Sequence, residues 1–379
     1  MNNNNSNLHH SLKGKVNAGN EKIKIKYFEF LKESQGFSES TLNAVKKAIY
    51  RYEEFSGFED YKKFNKKRAI EFKKWLEDKK DPRTNKQISL TTVYHYIRNL
   101  KDFFKWLAYQ PGYKSKISLT DVEYLKLDKQ KARIATASKR EDFPTLEQIL
   151  KIIQTIKINS ELDLRDRALI SFTTLSGMRD SAIITLPVGC FDENKLRISQ
   201  DPKKGVKTKF SKTIYSYLFR FDDDMLNYFL DWYRYLKTEK LFGNADPIFP
   251  RNKVINAEGT KTFTSHEVEP AFWQSVTSMR EIFKARFKAA DIDYLPPHTF
   301  RHLAVSLATA KCKNAEELKA ISQNFGHEDI GTTFQTYGTL SNSKIGELVT
   351  AMDFTNTDSD SELMAKLKSL IDNQKGGKF

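Results

Sequence analysis

The sequence predicts a mainly α protein with a small antiparallel β-sheet, arranged as a helical N-terminal domain followed by a larger mixed domain. Three observations carry this reading. Apolar residues recur at helical spacing in four successive segments before residue 110. A stretch without periodicity, residues 129–144, separates them from a second set of patterns. Strand candidates are few, short and confined to residues 195–249. With 379 residues, the chain can form two domains that each bury a core.

Residues 1–20, rich in Asn with Ser and Gly, read as a disordered lead. The domain at 21–128 is then a four-helix unit. Its segments are marked by Ile25, Phe28 and Leu31, by Leu42, Val45, Ile49 and Tyr52, by Ala69, Phe72, Trp75 and Leu76, and by Val93, Tyr96, Ile97, Leu100, Phe103 and Phe104. The breaks carry stop and start signals: Gly36, Ser38 as an N-cap, Gly57, the Asp81–Pro82 pair and Ser89. Aromatic residues interleave with Lys62, Lys63, Lys66, Lys67, Arg68, Lys73 and Lys74, which reads as an aromatic core with its cations turned outward. Residues 129–144 read as a linker ending at Pro144. The domain at 145–354 opens with Thr145 as a cap on a helix through Ile149, Leu150 and Ile153, followed by an apolar helix over 165–175 stopped by Gly177. Strands are expected at 195–199, 212–217 and 247–249, with helices in the remainder. Ile345, Leu348, Val349 and Met352, then Leu363, Leu367, Leu370 and Ile371, form two amphipathic stretches, and residues 355–379 are set apart as a C-terminal segment.

Composition narrows the function classes. No apolar run approaches the ~20 residues of a membrane span, and the N-terminus lacks the apolar core of a signal peptide, so a cytoplasmic protein is expected. Cys190 and Cys312 lie far apart, match no metal-ligand spacing and read as core thiols. The net charge is +15, and residues 1–140 hold all of the excess, with 31 Lys and Arg against 16 Asp and Glu. That bias suits a polyanion, because each neutralised phosphate releases condensed counterions.

Four spaced segments of the second domain bear groups suited to one reaction. They are SGMRDSA with Arg179, the basic turn PKKGVKTKFSK, PPHTFRHLA with His298, Arg301 and His302, and NFGHEDIGTTFQTYG with His327 and Tyr337. Singly, each has a plain alternative. Arg179 suits a buried carboxylate, the lysines a solvated hairpin tip, and Tyr337 a half-buried position. His298 and His302 share the i, i+4 spacing of zinc-protease histidines, but Thr299 stands where the general-base Glu belongs.

Together and in this order, the four segments resemble the tyrosine recombinase, or phage integrase, family. The resemblance covers most of the chain and implies an N-terminal four-helix, SAM-like core-binding domain, a linker and a tyrosine recombinase catalytic domain. Matched residue by residue, the family's first arginine falls on Arg179, its His-x-x-Arg motif on His298 and Arg301, its Gly-His motif on Gly326 and His327, and its nucleophile on Tyr337. The hairpin lysine falls on Lys207, with Lys204 and Lys209 as alternatives. Most members carry an acid three positions after the first arginine; this chain has Ala182 there, and Asp180 beside Arg179. His302 is given a structural role.

The chemistry is consistent with those roles. Two guanidiniums can clamp the non-bridging oxygens of a phosphodiester under attack. Tyrosine, with an ordinary pKa of about 10, needs a base such as His298 to become a nucleophile. Lys207 would protonate the 5′-oxygen, and His327 would hold a phosphate oxygen. The resemblance implies a 3′-phosphotyrosyl intermediate that conserves bond energy, so neither metal nor ATP is called for. It also implies double-stranded DNA as the partner, gripped by a two-domain clamp, with four protomers on two DNA sites, accessory DNA-bending proteins, and a C-terminal element exchanged between protomers. The lead is too short for an arm-binding domain, so core sites alone are expected. The competing readings are an inactive DNA-binding protein of the same fold and an activity like that of type IB topoisomerases.

Overall fold

The computed structural model describes residues 16–81, 85–137, 142–253 and 266–327. It divides into two compact units, with the division between Lys139 and Arg140.

The first unit contains α1 (Ala18–Glu29, running on as a π-turn Phe30–Ser34), α2 (Glu39–Ser56), α3 (Lys66–Asp78), α4 (Leu90–Leu107), a single turn α5 (Leu119–Val122) and α6 (Lys129–Thr136). Ser38, Asn65, Ser89 and Asp128 cap the N-termini of α2, α3, α4 and α6 with their side chains, and Gly57 closes α2 in the left-handed conformation. The aromatic stripe is core, as expected: Tyr52, Phe64, Phe72, Phe103 and Phe104 are buried together, while Lys62, Lys63, Lys66, Lys67 and Lys74 are exposed.

Two readings of this unit need correction. The sequence suggests a lead over 1–20, yet α1 begins at Ala18 with Asn17 as its cap. Asn20 is fully buried, donating Nδ2 to Glu59 O at 2.9 Å and accepting from Tyr61 N–H at 3.2 Å. Its polar identity concealed a core position. The linker read at 129–144 opens instead as helix α6, packed on α4 through the buried Ala135 and a hydrogen bond from Thr91 Oγ1 to Ala135 O. Its contact face is alanine, which a hydrophobic-period search passes over.

The second unit is built around α8 (Glu161–Ser176), preceded by α7 (Leu146–Thr155) and followed by the short α9 (Asp180–Ile183). Thr145 and Gln148 form a capping box on α7. From Ala168 to Ser176 every residue of α8 is buried, which is the position of a helix surrounded by others. Against it pack α10 (Asp223–Thr238) and α12 (His298–Lys311); α11 (Val276–Ala289) packs on α7, and α13 (Ala315–Asn324) follows α12. Arg165 and Arg286 serve the framework, sharing Asp166 between them, with Arg286 also on Asp163.

Among the described residues the sheet has three antiparallel strands in the order β1 (Phe191–Asp192), β2 (Arg197–Gln200), β3 (Ile214–Tyr217), with Ile198 opposite Ser216 and Gln200 opposite Ile214. The strand expected at 247–249 is only an isolated bridge between Pro187 and Pro247. Pro247 and Pro250 lack the N–H groups that would extend a ladder. Cys190 is buried, but Cys312 is a half-buried residue at the end of α12, not a core thiol.

Candidate active site

Four chain segments meet at one cavity of about 470 Å³ in the second unit: residues 178–181, α11 through Val276 and Arg280, the first turns of α12, and His327. Arg179 comes from the residue before α9, His298 from the first position of α12, Arg301 one turn later, and His327 from the residues after α13. His302 also lines the cavity and stacks near Phe143, with ring centroids 6.4 Å apart.

Local sequence explains how these groups are aimed. Gly177 ends α8 at φ +54, and a Cβ there would sit 2.4 Å from the Phe325 ring. Only glycine allows both the left-handed turn that delivers Arg179 and the close approach of Phe325. Gly326 is held the same way, at φ +67 with Ile214 of β3 2.6 Å from where its Cβ would be. The glycines of the SGMR and Gly-His motifs are therefore packing requirements as well as turns.

Arg301 is buried and rigidly held. Its Nη1 donates to Gly177 O at 2.9 Å and its Nη2 to Phe325 O at 2.6 Å, while Nη2 also lies 2.8 Å from His327 Nε2. The guanidinium stacks over the Phe325 ring at 5.0 Å. One arginine thus ties the end of α8 to the end of α13 and fixes the floor of the cavity.

His327 carries the largest electrostatic perturbation here. Burial, then the charges of Arg301, Arg179 and Lys209, push its pKa down to about 4, so the ring is neutral at physiological pH. His298 is exposed at the cavity mouth, where Thr299 Oγ1 bonds Pro296 O in the turn that starts α12.

The turn between β2 and β3 sorts its lysines. Asp201 caps a short 3₁₀ turn, Gly205 follows at φ +88, Val206 is buried, and Lys207 N–H donates to Thr185 Oγ1 at 2.9 Å. Lys204 and Lys207 are exposed on the rim of a separate cavity of about 600 Å³ floored by the buried Trp273. Lys207 therefore does not line the arginine–histidine cavity, whereas the charge of Lys209 reaches His327. Tyr337, and the amphipathic stretches beyond it, lie outside the described residues.

Three further residues support the site without a motif role of their own: Asn324 and Asp180, which stand inside the NFGHEDIG and SGMRDSA segments, and Arg280, which stands outside them. Asn324 accepts from Tyr217 N–H through Oδ1 at 2.6 Å and donates Nδ2 to Tyr217 O at 3.0 Å, and its own carbonyl accepts from Ser216 Oγ at 2.6 Å. It closes the outer edge of β3 and anchors the Phe325–His327 turn to the sheet. Asp180 and Arg280 form a second cavity wall.

Comparison with known proteins agrees with this architecture. The phage integrase family matches residues 143–344. Tyrosine recombinase XerD of Staphylococcus epidermidis is 24% identical over 331 residues, 86% of this chain and 96% of that protein. Among solved structures, lambda integrase bound to DNA superposes with a TM-score of 0.56 at 15% identity, covering 88% of this chain and 99% of that one. The Tn1549 transposon integrase in complex with transposon right end DNA gives 0.53 at 15%, covering 86% and 97%. With a family match over more than half its length, and with the family's two-part architecture in place, the chain belongs to the phage integrase family of tyrosine-type site-specific recombinases.

Proposed function

We propose that this protein cuts and rejoins duplex DNA through a 3′-phosphotyrosyl intermediate, with Tyr337 as nucleophile, in the movement of a mobile element by integration, transposition or resolution. The observation that carries the reading is the convergence of Arg179, His298, Arg301 and His327, from separate parts of the chain, on one basic cavity. Tyr337 Oη attacks phosphorus as its proton passes to His298, and the bond to the 5′-oxygen breaks. Arg179 and Arg301 hold the non-bridging oxygens as charge accumulates on them. A lysine of the β2–β3 turn protonates the departing 5′-oxygen. The same steps in reverse, from a new 5′-hydroxyl, restore the diester.

The remaining parts follow from charge and pattern. The first unit, carrying nearly all of the basic excess, would grip the duplex by phosphate contacts, and the chain beyond α6 would lead into a catalytic domain at 145–354. The stretch after Tyr337 would dock on a neighbouring protomer in a tetramer on two DNA sites, with accessory DNA-bending proteins setting direction. Tn1549 integrase, a transposon enzyme of this fold, lends weight to the mobile-element setting. The protein would act on DNA in the cytoplasm.

The test is covalent capture. Wild-type protein is incubated with fragmented DNA from its source and flanking element, denatured, and the attached fragments sequenced. Tyr337→Phe is expected to bind the same fragments and to capture none. Capture by the Phe variant at the wild-type level would refute the assignment.

A further inference from the structure

We propose that Arg280 is a third phosphate-binding arginine of the cavity, aimed by the buried Asp180 at a backbone phosphate beside the one under attack. This rests on the DNA-cleavage reading above.

Arg280 lies on α11, outside every motif that singled out the other cavity residues, yet it lines the same cavity as Arg179 and Arg301. Its side chain is 45% exposed, and its bond to Asp180 Oδ2 is long, at 3.5 Å. Arg286, six positions along the same helix, shows what a framework arginine looks like. It is 22% exposed and held at 2.7 Å by both Asp163 and Asp166. Among the described residues, Arg280 has one weak anchor behind it, and its side chain is open to the cavity.

Asp180 supplies the second observation. Its side chain is 8% exposed, and its Oδ1 is buried without a hydrogen-bond partner among the described residues. A buried carboxylate oxygen with no donor costs free energy, so the fold gains something by keeping it on this wall. An anchor for Arg280 explains the cost. A guanidinium presents five donors in a planar fork, so holding one nitrogen from behind leaves an edge that can take two phosphate oxygens. Successive phosphates of one strand are offset by about 3.4 Å along the duplex axis. With one phosphate seated between Arg179 and Arg301, the partly exposed Arg280 on the adjoining wall of the same cavity would meet its neighbour.

Asp180 is then a positioning residue and Arg280 a DNA contact, and a neutral-phosphate walk separates both from a role in folding. The probe is the duplex recovered by covalent capture, unmodified or with a single methylphosphonate at each position flanking the scissile phosphate. On the unmodified duplex, Arg280→Ala is expected to slow adduct formation about ten- to hundredfold, the range of a lost charge-assisted hydrogen bond, with part restored in Arg280→Lys. Asp180→Asn should fall between them. At one methylphosphonate position the wild type should drop to the rate of Arg280→Ala, while the variant loses nothing more. Should Arg280→Ala melt early, the same walk with Arg280→Lys carries the test. Wild-type rates in Arg280→Ala, or a defect of equal size at every position, would overturn the inference alone. A wild type that forms no adduct on any duplex overturns the recombinase reading, and this one with it.

Discussion

Arg301 Nη2 stands 2.8 Å from Nε2 of His327, and this contact dictates where the histidine keeps its proton. Arginine can only donate, so Nε2 must accept, which leaves the hydrogen on Nδ1 of a neutral ring. The Nδ1–H is then the donor that the proposed role of His327, holding a phosphate oxygen, would use, without protonation of the imidazole.

His327 is expected to stay neutral well below the usual histidine range. Its pKa is held at about 4 by burial and by the Arg301, Arg179 and Lys209 charges, against an ordinary 6.5. Between those values the unfolded chain binds a proton that the folded one does not, so this residue lowers stability as pH falls from about 6.5 toward 4. NMR titration of the His327 ring should give a midpoint near 4 in the free protein, rising when duplex DNA brings phosphate to the arginines. A free-protein midpoint near 6.5 would contradict the burial argument.

Arg301→Ala is expected to damage folding as well as cleavage. It strips the donors from Gly177 O and Phe325 O, and a buried carbonyl left unpaired costs about 1–3 kcal/mol. A clear loss of melting temperature should accompany the loss of adduct. An Ala variant as stable as wild type would mean that water satisfies those carbonyls.

Asn324→Ala should lower cleavage while leaving DNA affinity nearly unchanged. The side chain pairs both backbone groups of Tyr217, so its removal frees the turn carrying His327 from the sheet edge. Adduct rate at saturating DNA and binding at matched salt separate the two effects. An affinity loss as large as the rate loss would make Asn324 part of a DNA contact surface instead.

The legible parts of this fold were those in which local signal and tertiary role coincide. Ser38, Ser89 and Thr145 cap helices where the sequence places caps, and Gly177 ends α8 where the apolar run stops. Illegible were positions whose role is set by a distant partner. Asn20 reads as lead until Glu59 and Tyr61 surround it, and α6 is masked by charged residues around a narrow alanine contact. At the site, Arg179, His298, Arg301 and His327 occupy motif positions, whereas Asn324 and Asp180, inside the same segments, and Arg280, outside them, act through contacts 107 and 100 residues away in sequence, which spacing does not reveal. The turn lysines were ambiguous because spacing along a turn does not determine which way each side chain faces.

Sulfur substitution separates the three turn lysines. A lysine that protonates the 5′-oxygen becomes dispensable when that oxygen is replaced by sulfur, because a thiolate leaves without a proton. On a duplex with a 5′-bridging phosphorothiolate at the scissile position, the variant lacking the proton donor should therefore cleave at the wild-type rate. A variant lacking a mere phosphate contact should remain slow. In the free protein Lys209 is the turn lysine whose charge reaches His327, while Lys207 is tied by its own N–H to Thr185 and faces the neighbouring cavity. Lys209→Ala is accordingly expected to show the sulfur rescue, and Lys204→Ala and Lys207→Ala are not. Rescue at Lys207 instead would show that DNA draws the turn across from the Trp273 cavity to the arginines, making its closure part of the catalytic cycle. Rescue at none of the three would remove the turn from proton transfer and leave its lysines as contacts to the duplex.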